Sequence, residues 1–336
     1  MTYAAIRAVA GYLPPHIEKN DMSTRAAKAL GIEERHVASP DQAASDLAFE
    51  AAQNLFEKFP QAREGVDFVL LCTQQPDYPL PSTACLVADR LGLPKQVGAM
   101  DYNLGCSGYV YGLAVAKGLI EAGLCKKLLL LTSSLYVREG SPEDGATRPV
   151  FADGASATLI EAVESDRPLL EAFVFGTDGA LGPKAIIQEV GGSRHPYRTT
   201  EIKRIEDEHG SRTNADIFMD GQEVMLFTLR EVPPMVDEVL QKANLTREDL
   251  SYAVFHQPNK FMLDYVQRKC KLQQVPFFND VAKTGNTVAA SIPLGLCRVL
   301  EEKEPAELPH VLMAGFGVGL SWAGCVADLS KMWSQK

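Results

Sequence analysis

Strand-like apolar runs alternate with stretches of helical period along nearly the whole chain. No other feature limits the accessible folds so strongly. "DFVLLCTQ" at 67–74 has β character, and "STACLVADRLG" at 82–92 has helical spacing with a glycine stop. "GAMDYN" follows, then the helical "SGYVYGLAVAKGLIEAG" ending at Gly123, then a strand in "KKLLLLTSS" at 126–134. Strands separated by helices predict parallel βαβ units covered on both faces, an α/β fold. "PVFADGASATLIEA" at 149–162 reads as a turn entering another strand. In the second half, 220–245 is a long helical pattern that Pro233 and Pro234 are expected to kink or divide. A strand at 250–257 precedes a helix with Pro258 near its first turn, and 286–302 is a further helix. Two strands about a Gly-rich turn occupy 310–329, and the stretch 176–216 reads as an elaborated surface loop region. The natural division lies near residue 165, giving halves 1–165 and 166–336.

Composition narrows the function. With 46% hydrophobic and 23% charged residues, the chain is expected to be an ordinary soluble globular protein. A formal net charge of −10 argues against a general attraction to nucleic acid or to an anionic membrane. The start, "MTYAAIRAVAGYLPP", has no basic segment before its apolar run, which Arg7 interrupts, so neither a signal peptide nor a membrane span is expected there. Seven cysteines, at 72, 85, 106, 125, 270, 297 and 325, form no C-x-x-C pair and no metal-like cluster with histidine. That usage predicts reduced thiols, a cytoplasmic location and no metal site.

Three polar residues stand where chemistry could be built. Cys106, in "DYNLGCSGYVYGL", lies between Gly105 and Gly108 where a strand gives way to a helix. A helix N-terminus favours a thiolate there, although most free cysteines are simply buried. His256 ends a predicted strand, and sites in open parallel sheets form beyond the carboxyl ends of strands. A hydrogen-bonded structural histidine is the competing reading. Asn286, in "KTGNTVAAS", reads either as a helix N-cap or as an amide donor to an oxygen bearing charge. The turn in "AGFGVGLSWAG" at 314–324 offers backbone N–H groups to an oxyanion, and its spacing is not that of a dinucleotide loop. Cysteine, histidine and asparagine in this order also describe a papain-like protease. The C-G-S-C-[WY] signature is absent, and regular βα alternation does not suit that fold.

"DYNLGCSGYVYGL", "VFHQPNK", "KTGNTVAASIPLGL" and "GFGVGLSWAG" together resemble the β-ketoacyl-ACP synthase III family of thiolase-like condensing enzymes. "GIEERHV" at 31–37, "PSTACLVADRLGL" at 81–93 and "VFADGASA" at 150–157 extend the resemblance over nearly the whole chain. It implies two similar βα halves in a five-layered αβαβα arrangement, as a homodimer. It also implies Cys106 as the acylated nucleophile and His256 with Asn286 as the pair assisting decarboxylation. Donors from His256 Nε2 and the Asn286 amide would meet an enolate oxygen, and the backbone N–H groups of Cys106 and Val318 an oxyanion. No cofactor is implied, since substrates arrive as CoA or phosphopantetheine thioesters. The implied partners are an acyl carrier protein, an acyl-CoA or acyl-ACP primer, and malonyl-ACP. Related readings are transfer of the acyl group to another acceptor, or a non-catalytic partner subunit.

The sequence departs from the family at the donor site. Acetyl-CoA-using members clasp adenine with a Trp and an Arg ahead of their "TGI" motif, where Arg25, Ala29 and Leu30 stand here. The Arg expected before "VFADGASA" is replaced by Gly145, with Arg148 nearby. A primer other than acetyl-CoA is therefore expected, either longer or carrier-borne. Leu80 falls where the family places an aromatic capping the acyl pocket across the dimer. Lys260, Arg268, Lys269 and Lys271 are the candidates for carrier docking, and Leu226 replaces a commonly basic residue.

Overall fold

The computed structural model describes residues 1–334. The first half contributes five principal strands, β1 (Thr2–Tyr12), β2 (Phe68–Cys72), β3 (Gly98–Tyr102), β4 (Lys127–Ser134) and β5 (Gly154–Glu164). They form one sheet in the order β1-β5-β4-β2-β3. Its helices are α1 (Ala44–Lys58), α2 (Thr83–Arg90) and α3 (Gly108–Glu121). The second half supplies β6 (Leu170–Thr177), β7 (Tyr252–Phe255), β8 (Val311–Gly317) and β9 (Ser321–Ala327), ordered β7-β8-β9-β6. Its helices are α4 (Gly221–Ala243), α5 (Lys260–Lys269) and α6 (Ser291–Glu302).

The continuous apolar strands are explained by burial on both faces. In β4, Leu128 and Leu130 point into one core shared with α3, while Leu129 and Leu131 point into another shared with α1. In β8, Val311 and Met313 face the same inner core, while Leu312, Ala314 and Phe316 face the core under α4 and α5. Tyr109, Leu113 and Ala116 of α3 and Ile292, Leu296 and Val299 of α6 fill the space between the two sheets. The layers therefore run α1/α2, sheet, α3/α6, sheet, α4/α5, the five-layered thiolase-like fold.

Three expectations are corrected. The sheets are mixed: β2 pairs in parallel with β3 and β4, and β7 with β8, whereas β1, β5, β6 and β9 pair antiparallel. Only the strands joined through crossover helices run parallel. The proline pair does not divide α4, which stays helical to Ala243. Each interior proline costs about 3 kcal/mol. Burial of Val232, Met235, Val236 and Val239 against β6 and β9 contributes about 1.5–3 kcal/mol per side chain and outweighs that cost. The 176–216 stretch contains ordered elements: Ile186–Ile187 pairs with Phe218–Met219, and Arg204–Asp207 with Gly210–Thr213. Among the described residues, no helix is long and apolar enough to cross a membrane.

Candidate active site

The link from β3 into α3 places Cys106 just ahead of the helix, and the residue is 7% exposed. Close approach of β8 requires glycine. A Cβ on Gly317 would lie 2.6 Å from the Cys106 sulfur, and one on Gly315 would lie 2.5 Å from its carbonyl oxygen. A 2.7 Å hydrogen bond between the Ser107 and Ser321 hydroxyls ties the helix start to β9. Burial pushes the Cys106 thiol up to about 12, against the opposing pull of the Val318 and Cys106 backbone N–H groups on its sulfur. Desolvation thus outweighs the pull of those two backbone donors and favours the neutral thiol.

His256 continues β7 by one residue, its N–H donating to Ala314 O at 2.8 Å. The ring is 2% exposed and meets Phe316 edge-on, with centroids 5.7 Å apart. Burial lowers its pKa to about 3, so the imidazole is neutral. Its Nδ1 lies 2.8 Å from Ser291 Oγ at the start of α6.

Asn286 satisfies both of its sequence readings with different atoms. Val288 N–H donates to Asn286 Oδ1 at 2.9 Å, a local cap that also identifies which end of the amide is oxygen. Its backbone is pinned by Asn286 N–H to Val150 O and by Ala152 N–H to Asn286 O. The amide nitrogen makes no hydrogen bond among the described residues. The His256 ring also contacts the Val288 backbone, and no hydrogen bond of Nε2 meets the distance and angle of a formed one among the described residues.

Cys106, His256 and Asn286 line one cavity of about 560 Å³. Its walls include Phe151, Ile186, Met219 and Met262, and its rim carries Leu226 and Phe261, which are 59% and 51% exposed. No Asp, Glu, Lys or Arg lines it among the described residues. A second cavity, of about 290 Å³, touches Ser291 and Thr287 but none of those three residues, so the chemistry belongs to the larger one. Val318 lies beside the nucleophile, its side chain packed where a Cβ on Gly105 would be.

The other predicted residues fall elsewhere. Leu80 is 82% exposed and does not reach the cavity within one chain. Of the docking candidates, Lys260 stands beside the rim, paired with Asp264 at 2.6 Å. Arg268 and Lys269 stack on Tyr265 at the far end of α5, and Lys271 follows it. Arg148 is held by Glu18, which also binds the buried Arg35 at 2.7 Å, while Arg25 is exposed and Leu30 lines the cavity. Sequence reasoning missed Ser291 and Phe316, which read as helix and strand interior. Ile186 and Met219 were hidden in the supposed loop.

Comparison with known proteins supplies relatives for this arrangement. Residues 100–179 match the family description "3-Oxoacyl-[acyl-carrier-protein (ACP)] synthase III", and residues 240–329 match its C-terminal counterpart. The β-ketoacyl-[acyl-carrier-protein] synthase III of Caldanaerobacter subterraneus subsp. tengcongensis is 33% identical, over 98% of each chain. A crystal structure of a 3-oxoacyl-(acyl-carrier-protein) synthase III superimposes with a TM-score of 0.92 at 42% identity, covering 97% of this chain and 99% of that one. The Thermus thermophilus synthase III gives 0.84 at 32% identity, covering 99% of this chain and 100% of that one. The priming β-ketosynthase of the R1128 polyketide pathway gives 0.83 at 26%, covering 97% and 96% respectively.

Proposed function

The chain belongs to the 3-oxoacyl-[acyl-carrier-protein] synthase III family of acyltransferase-class condensing enzymes, and on that footing we propose a decarboxylative condensation run by Cys106, His256 and Asn286. The observation that carries the assignment is their convergence on one uncharged cavity, with neither Asn286 Nδ2 nor His256 Nε2 in a formed hydrogen bond among the described residues. An acyl group moves from a thioester to Cys106, dividing one difficult condensation into two steps. A malonyl thioester then loses CO₂, and its carbonyl oxygen becomes an enolate held by Asn286 Nδ2 and His256 Nε2. The enolate carbon attacks the acyl-cysteine. The tetrahedral oxyanion faces the N–H groups of Cys106 and Val318, which already lie against the sulfur. The product is a 3-oxoacyl thioester for fatty acid or polyketide biosynthesis. Intact-mass measurement after incubation with acyl thioesters should show one acyl group on the wild type and none on Cys106→Ala. Release of CO₂ from malonyl-ACP should be lost in His256→Ala and Asn286→Ala; retained release in both overturns the assignment.

The primer is not acetyl-CoA but a longer acyl group or one borne by a carrier protein. This is supported by the absence of charged side chains around the cavity and by the engagement of Arg148 with Glu18. Faster self-acylation from acetyl-CoA than from matched acyl-ACP would defeat it. A homodimer is supported by β3, which leaves one sheet edge unpaired beside the exposed Met100 and Leu80. Sedimentation at twice the chain mass is the expected result. A reducing cytoplasm is supported by seven free cysteines.

A further inference from the structure

Tyr136 lies just beyond the end of β4 and is 5% exposed. It belongs to a packed cluster with Cys106, Phe151, Ile217 and Val288, against which Ile186 and Met219 also pack. Its ring stacks on Phe151, with centroids 5.1 Å apart and planes inclined by 27°. Its hydroxyl donates to Gln74 Oε1, and Gln74 Nε2 donates to Asn103 Oδ1 at 2.9 Å. Gln74 in turn abuts the turn ahead of the nucleophile, since a Cβ on Gly105 would lie 2.7 Å from Gln74 Oε1. The ring is thereby held at its face and at its tip, and swinging it aside would break a largely buried hydrogen bond. Cys106, Phe151, Ile186 and Met219 also line the larger cavity, whereas Tyr136, Ile217 and Val288 do not. The cavity therefore stops on the side of the sulfur where Tyr136 stands. Its opposite end opens at the exposed Leu226 and Phe261.

The geometry points to Tyr136 as the residue that sets primer length, its ring closing the acyl end of the site so that Cys106 accepts a short acyl group and rejects a long one. This deepens the proposed reaction and rests on it, selecting a short carrier-borne primer over a longer one. A thioester enters from the rim, so its arm fills the passage between Leu226 and Cys106 while the acyl group is transferred. The acyl carbons then extend past the sulfur, into the space that Phe151, Ile186 and Met219 border and Tyr136 ends. A methylene beyond that space has to displace a stacked, hydrogen-bonded ring. Overpacking of that kind weakens acceptance by about 10-fold. The Tyr136 hydroxyl is already committed to Gln74, so it fixes the ring, and the bulk of the ring is what the acyl group meets.

Loading of Cys106 in the full-length protein from saturated acyl-ACPs, acetyl to decanoyl, read by intact mass against time, tests this. Wild type should load butyryl at least about 10-fold faster than octanoyl. Tyr136→Val removes about five heavy atoms, and its octanoyl loading should rise about 10-fold while butyryl loading persists. Such a gain is one that a merely unstable variant does not produce. Tyr136→Leu stays nearer the native volume and should move the limit the same way by a smaller step. Tyr136→Phe keeps the ring and should keep the wild-type order of donors. Equal wild-type loading of butyryl and octanoyl overturns the proposal. So does an unchanged order of donors in Tyr136→Val or Tyr136→Leu that still loads butyryl. If no donor of any length loads, the condensing reading falls and takes the length limit with it; if all load alike, the length limit falls alone.

Discussion

A single amide at Asn286 does two jobs with two atoms, and one substitution separates them. Asn286→Asp keeps an oxygen for Val288 N–H but replaces the free NH₂ by an acceptor. CO₂ release should fall about 100–1000-fold, as for loss of one oxyanion donor, and the melting temperature should drop as pH rises and the buried carboxyl ionises with no counter-charge in the cavity. Asn286→Ala loses the cap as well and should be less stable by about 1 kcal/mol. His256 gives a pH signature. Its folded pKa is depressed from 6.5 to about 3, so between those values the unfolded chain binds a proton that the folded chain does not. Stability is therefore lost as pH falls through that window. Relative to His256→Gln, the wild type should lose about 1.4 kcal/mol per pH unit in denaturant melts. Asp153, raised to about 6 by burial, acts in the opposite sense but cancels in the comparison. Of this site, element boundaries made Cys106, His256 and Asn286 candidates only, and it was their ordered match to a condensing-enzyme family that singled them out. Ser291 was not, because its partner lies 35 positions away and only the folded chain brings them together.

At the scale of elements, the alternation of apolar runs with helical spacing identified the strands and helices around the nucleophile. It misjudged pairing direction, which depends on connection path more than on local pattern. It also treated 176–216 as loop, because two-residue strands such as Ile186–Ile187 are too short to show alternation. The prolines of α4 show tertiary packing overriding propensity. Pro234 is exposed, so Pro234→Ala restores a helical N–H without disturbing the core. Chemical denaturation should find it more stable by about 1–3 kcal/mol, with acyl loading unchanged. α5 has the opposite dependence. Asn259 Oδ1 accepts from Met262 N–H at 2.8 Å, capping the turn that bears the rim residue Phe261.

At the scale of the whole molecule, sandwiching α3 and α6 between two sheets buries the floor of the site, while the rim residues Leu226 and Phe261 stay exposed. The chain carries net charge −10, yet none of that charge lines the larger cavity. In the proposed reaction a malonyl carboxylate entering it exchanges bulk water for thioether and phenyl walls. Such an ion is held in a poor solvent, and the step that removes it converts one oxygen-borne charge into a neutral gas and a delocalised enolate. On the proposed reaction, withholding a counter-ion raises the ground state where a basic pocket would lower it. Met225→Lys would supply that counter-ion. It should bind malonyl-ACP with a lower KM and release CO₂ with a lower kcat, a pairing that steady-state kinetics would distinguish from simple obstruction, which raises KM.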